Sequence, residues 1–446
     1  FTVNCRALRA KGLSMHQNTV RQVSFLAVIL ILAPLAIICL MRGNNFALYQ
    51  VQAQDMPVLL WLCPLLLMAG TLAPKMMLPA SGTRPWLQVG ASTAIVALLG
   101  CGTHILMGNF PLSRDEHMVV FDMAVFGQGH LAAPLAAQWR PYAEALVPAF
   151  LLNNDMPTGL VSDYLPMNAL LRLTFSQDAD PAYLNPILAL LGSYALLRIA
   201  RQQFGANVRA IWVVLLTYVT STQMLVATMT TYSMTAHMVL NLIWLAAFLR
   251  GGRGGHSIAL LAGFVAIGLH QLAFHPAFAA PFLLWRLREK QWKLVLLYSG
   301  AYAVFCLWWV AYPAIAVIQT GVQNYGGGAT DNFLAEKIVP LLLNRDPNTL
   351  FLMMCNLLRF VAWQNLALLP LLLACLPLAW RERSLVGPLF LGIVGWLLFV
   401  TVMLPFQGHG WGYRYLHPYL GSFALLAGFG YRQLSSRNAR ADGFFI

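Results

Sequence analysis

Long apolar runs separated by short polar stretches dominate the hydrophobic pattern of this chain. A run of about 18 or more apolar residues is long enough to cross a bilayer as an α-helix. A longer run at 351–379 is expected to break before Pro370 or Pro377. The pattern predicts twelve membrane-spanning helices, at 24–41, 57–73, 86–107, 182–199, 208–226, 233–249, 257–271, 276–287, 294–317, 351–379, 385–404 and 415–431.

Composition supports this prediction. Of the 446 residues 59% are hydrophobic and only 10% are charged, whereas about 25% of the residues of an average soluble domain are charged. We therefore expect an all-α, polytopic helical membrane protein. The net charge of +13 does not indicate nucleic-acid binding, because membrane proteins retain Lys and Arg in their cytoplasmic loops. The seven cysteines form no C-x-x-C pair and are typical of small core residues.

The distribution of charge predicts an orientation. With both termini in the cytoplasm, most of the 28 basic residues lie inside and most of the 15 acidic residues lie outside. Residues 1–85 then hold the cytoplasmic N-terminus and two spans, and 86–446 form the main transmembrane domain. Met15 is a candidate start, and the run from Ser24 to Met41 is expected to be an uncleaved first span. The extracytoplasmic loops are predicted at 108–181, 318–350 and 405–414.

The first and longest of these loops opens with a cluster of charge, 113-SRDEHMVVFD-122. Ser113 and Glu116 have the spacing of a capping box before an apolar run, and Asp115 and Glu116 favour the positive end of a helix. A carboxylate fixed in this way is also a well-positioned general base, so capping and catalysis both stay open. Asp122, seven positions after Asp115, is expected on the same helical face.

Three further parts of this loop, 117–126, 131–137 and 143–152, are apolar. We expect them to form helices that lie in the membrane interface. The second long loop, 319–346, contains a Gly326–Gly328 hinge and is either a lid over a substrate or a connector. In that loop Lys337 and Arg345 are weaker candidates for phosphate binding.

Two other polar clusters lie at predicted outer boundaries. His270 and His275 could bind substrate or could bridge two helices. Metal binding also stays open, but a spacing of five positions is poor for a helical metal site. We therefore predict no metal ligands. The segment 405–421 is rich in glycine and aromatic residues. One interpretation is an aromatic belt at the membrane interface, to which the Arg414 side chain extends without a functional role. We favour a functional role for Arg414, because a phosphate leaving group requires a cation. Its neighbours His409, Tyr413 and Tyr415 are candidate substrate-binding residues.

An Asp–Glu pair that directly follows a transmembrane helix and opens a long outer loop resembles the GT-C glycosyltransferases. The likeness is greatest to the branch of protein O-mannosyltransferases and lipid A aminoarabinose transferases. It covers residues 86–431, mostly as architecture, and 162-SDYLPMNALL-171 resembles the tyrosine–proline element at which the loop returns to the membrane. The chain departs from that branch in having two predicted spans ahead of the span 86–107 that leads into the acidic loop, and we expect no soluble C-terminal domain.

The resemblance implies an inverting transfer of a hexose or pentose from a polyprenyl-phosphate donor to an acceptor hydroxyl on the extracytoplasmic face of a bacterial inner membrane. It implies Asp115 as the base, with Glu116 beside it. Asp163 and Tyr164 join His270, His275 and Arg414 as candidate substrate-binding residues. The sugar, the nature of the acceptor (glycan, lipid or protein), a divalent metal and the oligomeric state stay open. A transporter or flippase is the alternative, and an assembly subunit is a third hypothesis.

Overall fold

A computed structural model describes residues 2–42, 45–72, 85–142, 150–152, 158–321, 347–381 and 384–435. Within these ranges the chain is almost entirely helical, as expected. The helices are α1 (Thr2–Leu40), α2 (Phe46–Gln50), α3 (Met56–Leu72), α4 (Pro85–Ile105), α5 (Arg114–Gly127), α6 (Met167–Phe175), α7 (Leu184–Phe204), α8 (Val208–Val219), α9 (Thr222–Thr228), α10 (Met234–Arg250), α11 (Gly252–Ile267), α12 (Phe274–Arg288), α13 (Trp292–Ile318), α14 (Thr349–Ala362), α15 (Leu368–Arg381), α16 (Val386–Met403) and α17 (Leu420–Ser435).

Six helical stretches of the described chain are long and apolar enough to cross a membrane, which is compatible with a multi-pass membrane protein. The number rises to seven if α8 and α9, which meet at a bend of 54°, form one broken span. The six are Thr19–Leu40, Phe46–Thr71, Trp86–Ile105, Pro181–Phe204, Trp292–Ile318 and Val386–Met403.

The predicted count of twelve spans is not confirmed. One reason is that several expected spans are shorter helices, such as α10. Another is that the long run at 351–379 is divided: α14 ends at Ala362 and α15 begins at Leu368, so the break comes before Pro370 as expected. The short helices leave room for polar segments between them.

The chain forms two compact units, each built from separate stretches of sequence. The first comprises Phe1–Thr93, Ser193–Leu225 and Asp346–Ile446; the second comprises Ala94–Gly192 and Val226–Arg345. In the first unit α1 packs on α3 and α15, and α17 packs on α8 and α15. In the second unit α10 packs on α11, α13 packs on α11 and α12, and α5 packs on α6.

The predicted interfacial helices of the long first loop have mixed outcomes. Residues 117–126 are helical, as part of α5. The prediction of a helix at 131–137 is wrong, because Ala133–Pro134 pair as a short strand, β1, with β2 (Gly159–Leu160) in antiparallel register. Pro134 interrupts a helical ladder by lacking an N–H. Most of the third segment, 143–149, lies outside the described residues, as do the Gly326–Gly328 hinge, Lys337 and Arg345.

Candidate functional site

The start of α5 has the capping arrangement that its sequence predicts. Ser113 is the N-cap, and its Oγ accepts a hydrogen bond of 3.3 Å from the Glu116 N–H. In return, Glu116 Oε2 accepts hydrogen bonds from the Leu112 N–H at 3.0 Å and the Ser113 hydroxyl at 3.2 Å. These contacts satisfy backbone donors that a helix start leaves without intrahelical partners, so they fix the direction in which α5 leaves the preceding loop.

The second oxygen of Glu116 fastens α5 to the 229–233 turn, which joins α9 to α10. Glu116 Oε1 accepts hydrogen bonds from the Thr231 N–H at 2.9 Å and the Thr231 hydroxyl at 3.3 Å. The buried guanidinium of Arg172 lies close enough for the Glu116 charge to act on it. Burial lowers the pKa of Arg172 to about 10, and Glu116 opposes that shift. Arg172 therefore stays cationic at neutral pH and balances the buried Glu116.

Two asparagines satisfy the carbonyl groups of the 229–233 turn. Asn185 Nδ2 donates to the carbonyl oxygens of Thr230 (2.6 Å) and Tyr232 (3.0 Å), and Asn168 Nδ2 donates to that of Thr231 (3.1 Å). Buried backbone polar groups without partners are costly, so these side chains explain how a non-helical segment is tolerated here. These hydrogen bonds fix the position of the turn, and its residues Tyr232 and Ser233 line the pocket described next.

A small pocket opens between α5, α6, the turn that precedes α10 and the turn that follows α11. It encloses about 320 Å³, including its mouth. Within the described part of the chain, no lysine or arginine lines it. The residues on which its chemistry depends are Asp115, Asp122, Tyr164, Asn168, Tyr232 and His270. We call this the acidic pocket.

Three predicted site residues meet in the acidic pocket. The Tyr164 hydroxyl donates a short hydrogen bond to Asp115 Oδ1, and the rings of Tyr164 and His270 lie 4.6 Å apart. Tyr164 is held by its own N–H, which donates to Ser162 Oγ at 3.1 Å. The turn before His270 is anchored where the Met167 N–H donates to the Gly268 carbonyl at 3.0 Å. Asp115 therefore has a defined orientation, half-buried at the start of α5.

Asp122 is a pocket residue that was not among the predicted site residues, although its place on the helical face of Asp115 was expected. It is only 4% exposed, and the Ser162 side chain is hydrogen-bonded to it. Burial raises the pKa of Asp122 to about 7, and the hydrogen bond with Ser162 only partly offsets this shift. A carboxyl group with this pKa carries a proton for much of the time at neutral pH.

The other predicted residues of this unit lie outside the acidic pocket. Asp163 is exposed. His275 is fully buried, and its Nδ1 and Nε2 lie 2.7 Å from Asn241 Oδ1 and 2.9 Å from the Tyr302 hydroxyl. These contacts connect α10, α12 and α13, which is the helix-bridging role that the sequence left open. Asn241 thus takes part in a hydrogen bond between helices, a contact that is typical of polar side chains within membrane helices.

The predicted donor-site residues belong to the first unit, on the 405–414 loop and its continuation. His409 is exposed with its ring 5.0 Å from that of Phe46, whereas Tyr413 and Tyr415 are buried. Arg414 is half-buried, and its guanidinium lies 5.2 Å from the centre of the Tyr415 ring. The loop therefore presents one cation held against an aromatic side chain.

Hydrogen bonds from helix side chains hold the backbone of this loop. Asn356 Nδ2 donates to the Pro405 carbonyl at 2.9 Å, Arg359 Nη2 to the Gly410 carbonyl at 3.1 Å and Gln223 Nε2 to the Tyr413 carbonyl at 2.9 Å. The loop is thus fixed at three points along its length.

A buried ion pair in the first unit escaped the sequence prediction. Asp55 and Arg359 are each 1% exposed, with Asp55 Oδ2 3.5 Å from Arg359 Nε. Trp363 Nε1 donates to Asp55 Oδ1 at 2.8 Å. Asp55 ends a π-helical segment, Val51–Asp55, between α2 and α3. Arg359 is an ionisable residue inside the apolar run 351–379, and this is the signal that could have revealed it. Asp55 lies among glutamines just before the run 57–73 and gives no such signal.

The described residues contain no group of three or more His, Cys, Asp or Glu side chains that could hold a metal ion. Comparisons with protein-family models, curated proteins and solved structures find no match to the chain. The described part of the chain is thus almost wholly helical, with several helices long and apolar enough to cross a membrane. The resemblance to GT-C glycosyltransferases stays a prediction.

Proposed function

We propose that the protein is a GT-C type glycosyltransferase with about twelve membrane spans, which transfers a sugar from a polyprenyl-phosphate donor to an acceptor hydroxyl. In the proposed reaction Asp115 accepts the hydroxyl proton. The acceptor oxygen forms a bond to the anomeric carbon from the face opposite the lipid phosphate. The carbon–oxygen bond to the phosphate breaks, the lipid phosphate leaves with its electron pair, and the configuration inverts.

The observation that carries this proposal is the setting of Asp115. It lies on a capped helix start, it lines a pocket, and its carboxyl group accepts a hydrogen bond from Tyr164. A general base needs a fixed direction and access to its substrate, and Asp115 has both. Glu116 was predicted beside it as a catalytic residue. Because its two oxygens together accept four hydrogen bonds from protein groups, the proposal assigns the proton transfer to Asp115 alone.

Features of the first unit support a lipid-linked donor. A cavity of about 1340 Å³, including its opening, is lined almost wholly by apolar side chains such as Leu30, Met353, Leu357 and Phe423. An elongated hydrocarbon chain suits such a lining, because it leaves no polar group without a hydrogen-bond partner there. Arg414 is the proposed cation for the phosphate, and the extracytoplasmic face of a bacterial inner membrane is the proposed location.

The test uses protein reconstituted in lipid nanodiscs with a polyprenyl-phosphate sugar and a panel of hydroxylated acceptors, and measures the polyprenyl phosphate that is released. We expect release by the wild type and a loss of at least 100-fold in Asp115→Asn, the low end for a general base. Asp178→Asn, an exposed acid of the same unit, is the matched control. Full activity of Asp115→Asn would refute the assignment of the base.

A transporter is the alternative that specific observations favour. The bent pair α8 and α9 is a discontinuous helix, and the Asp55–Arg359 pair places buried charge in an apolar setting; both are typical of transporters. A liposome assay separates the two proposals. Movement of a lipid-linked sugar across the bilayer without release of polyprenyl phosphate would support transport and contradict the glycosyltransferase.

A further inference from the structure

One of the residues that line the acidic pocket carries a buried acceptor atom that no described group of the protein satisfies. Asn168 is 3% exposed and lines the pocket. Its Nδ2 donates to the Thr231 carbonyl, which fixes the orientation of the amide. Its Oδ1 has no hydrogen-bond partner within the described residues. A buried acceptor without a partner is costly, and a donor group supplied by a ligand would remove that cost.

Asp122 lines the same pocket. The Tyr164 N–H occupies one lone pair of Ser162 Oγ, and the Ser162 side chain is in turn hydrogen-bonded to Asp122. The titratable groups around Asp122 are Asp115 on its own helix, Tyr164, Tyr232 and His270 across the pocket, and Tyr312 on α13. None of them is a permanent cation. In these surroundings a neutral Asp122 is favoured, and a neutral carboxyl group can donate a hydrogen bond as well as accept one.

We propose that Asp122 and Asn168 bind a hydroxyl-rich, non-anionic group of the substrate, with Asn168 Oδ1 accepting from one hydroxyl and neutral Asp122 donating to another. The proposal rests on the proposed function in that it assigns a sugar or acceptor hydroxyl group, and not the phosphate, to this pocket. A phosphate would bring negative charge next to Asp115, where no lysine or arginine among the described lining residues could balance it. A ligand hydroxyl can serve both residues at once, because it donates and accepts.

The experiment measures binding directly, without any transfer reaction. Methyl glucoside is titrated against the full chain in nanodiscs, and its dissociation constant is measured by saturation-transfer-difference NMR. Loss of one hydrogen bond corresponds to a roughly three- to tenfold change in affinity. We expect that weakening in Asp122→Leu and in Asn168→Leu. Asp122→Asn, which retains a donor, should bind within about twofold of wild type, as should the control Asp178→Asn.

The outcomes separate this inference from the proposed function. Inorganic phosphate should not displace methyl glucoside, and displacement at equal concentration would overturn the inference. Wild-type affinity in both leucine variants would also overturn it, even if transfer of sugar is observed. Conversely, binding that depends on Asp122 and Asn168 in a protein that never releases polyprenyl phosphate would support the inference while refuting the glycosyltransferase. If one leucine variant fails to fold, the other decides.

Discussion

Replacing Glu116 with Gln separates a structural acid from a catalytic one. Glu116 is 1% exposed, and its oxygens accept hydrogen bonds from Leu112, Ser113 and, twice, from Thr231. Its charge also acts on the buried guanidinium of Arg172. The substitution preserves the size of the side chain, but it removes the charge and puts an NH₂ group where an acceptor is needed. The loss of charge and the misplaced NH₂ group both destabilise the contact of α5 with the 229–233 turn and Arg172.

The expected magnitude follows from the buried charge that remains. Glu116 and Arg172 are not in direct contact as an ion pair, but loss of the charge that compensates a buried cation is destabilising by up to about 3 to 5 kcal/mol. Each buried donor that loses its acceptor adds about 1 to 3 kcal/mol. Only Arg172 Nη1 has a hydrogen bond within the described residues, to the Pro181 carbonyl at 2.9 Å, so Arg172 depends on Glu116 for charge balance. We therefore expect Glu116→Gln to lower the free energy of unfolding by at least about 3 kcal/mol.

The assay is reversible unfolding in detergent, followed by tryptophan fluorescence, with Asp115→Asn as the neighbouring control. Asp115→Asn should unfold within about 1 kcal/mol of the wild type, because a half-buried side chain keeps an amide of equal size. The double variant Glu116→Gln/Arg172→Met should recover the part of the loss that comes from the uncompensated Arg172 charge, but not the part that comes from the misplaced NH₂ group. A single variant as stable as the wild type, or a double variant less stable than the single, would refute the reasoning.

Three further predictions concern other buried polar groups. Burial raises the pKa of Asp122 to about 7 from an ordinary 3.8. The free energy of unfolding should therefore fall by up to roughly 4 kcal/mol as pH rises from 4 to 7, and this group should change it little above pH 7. Unfolding of Asp122→Asn, measured over the same pH range, should lack this contribution. Asp55→Asn should lower the free energy of unfolding by about 3 kcal/mol, because the buried Arg359 charge loses its partner. Trp363→Phe removes only one hydrogen bond to Asp55 and should lower it by about 1 kcal/mol. Thermal unfolding measures both. His275→Leu should cost about 2 kcal/mol or more, yet leave methyl glucoside affinity unchanged in the NMR titration.

Local chemistry made the start of α5 predictable. The spacing of Ser113 and Glu116 and the apolar run that follows specify a capped helix through neighbours in sequence, and the structure contains it. The same holds for the shared face of Asp115 and Asp122, which follows from helical geometry. Both residues line one pocket. These parts of the candidate site depend on contacts within ten residues, which a periodic pattern records.

The parts that sequence did not predict depend on distant contacts. Apolar runs do not fix the length of each helix, so the span expected at 233–249 is the shorter helix α10. Arg359 lies in the apolar run 351–379 and Asp55 lies just before the run 57–73, and nothing local indicates that they meet. Likewise, Asn168 is an ordinary polar residue of 162-SDYLPMNALL-171 until its amide is fixed by Thr231. Only the fold brings these partners together.

The geometry of α5 explains how two consecutive acids can differ in role. Successive residues on an α-helix point about 100° apart, since a turn takes about 3.6 residues. Glu116 accordingly faces the 229–233 turn, where Thr231 donates to its Oε1, and its Oε2 accepts from groups at the start of the helix. Asp115 faces the acidic pocket beside Tyr164. Capping and catalysis are therefore not competing descriptions of one acidic pair. Glu116 fixes the helix, the fixed helix orients Asp115, and a loss of activity on substituting Glu116 would have to be corrected for lost stability before it counted as chemistry.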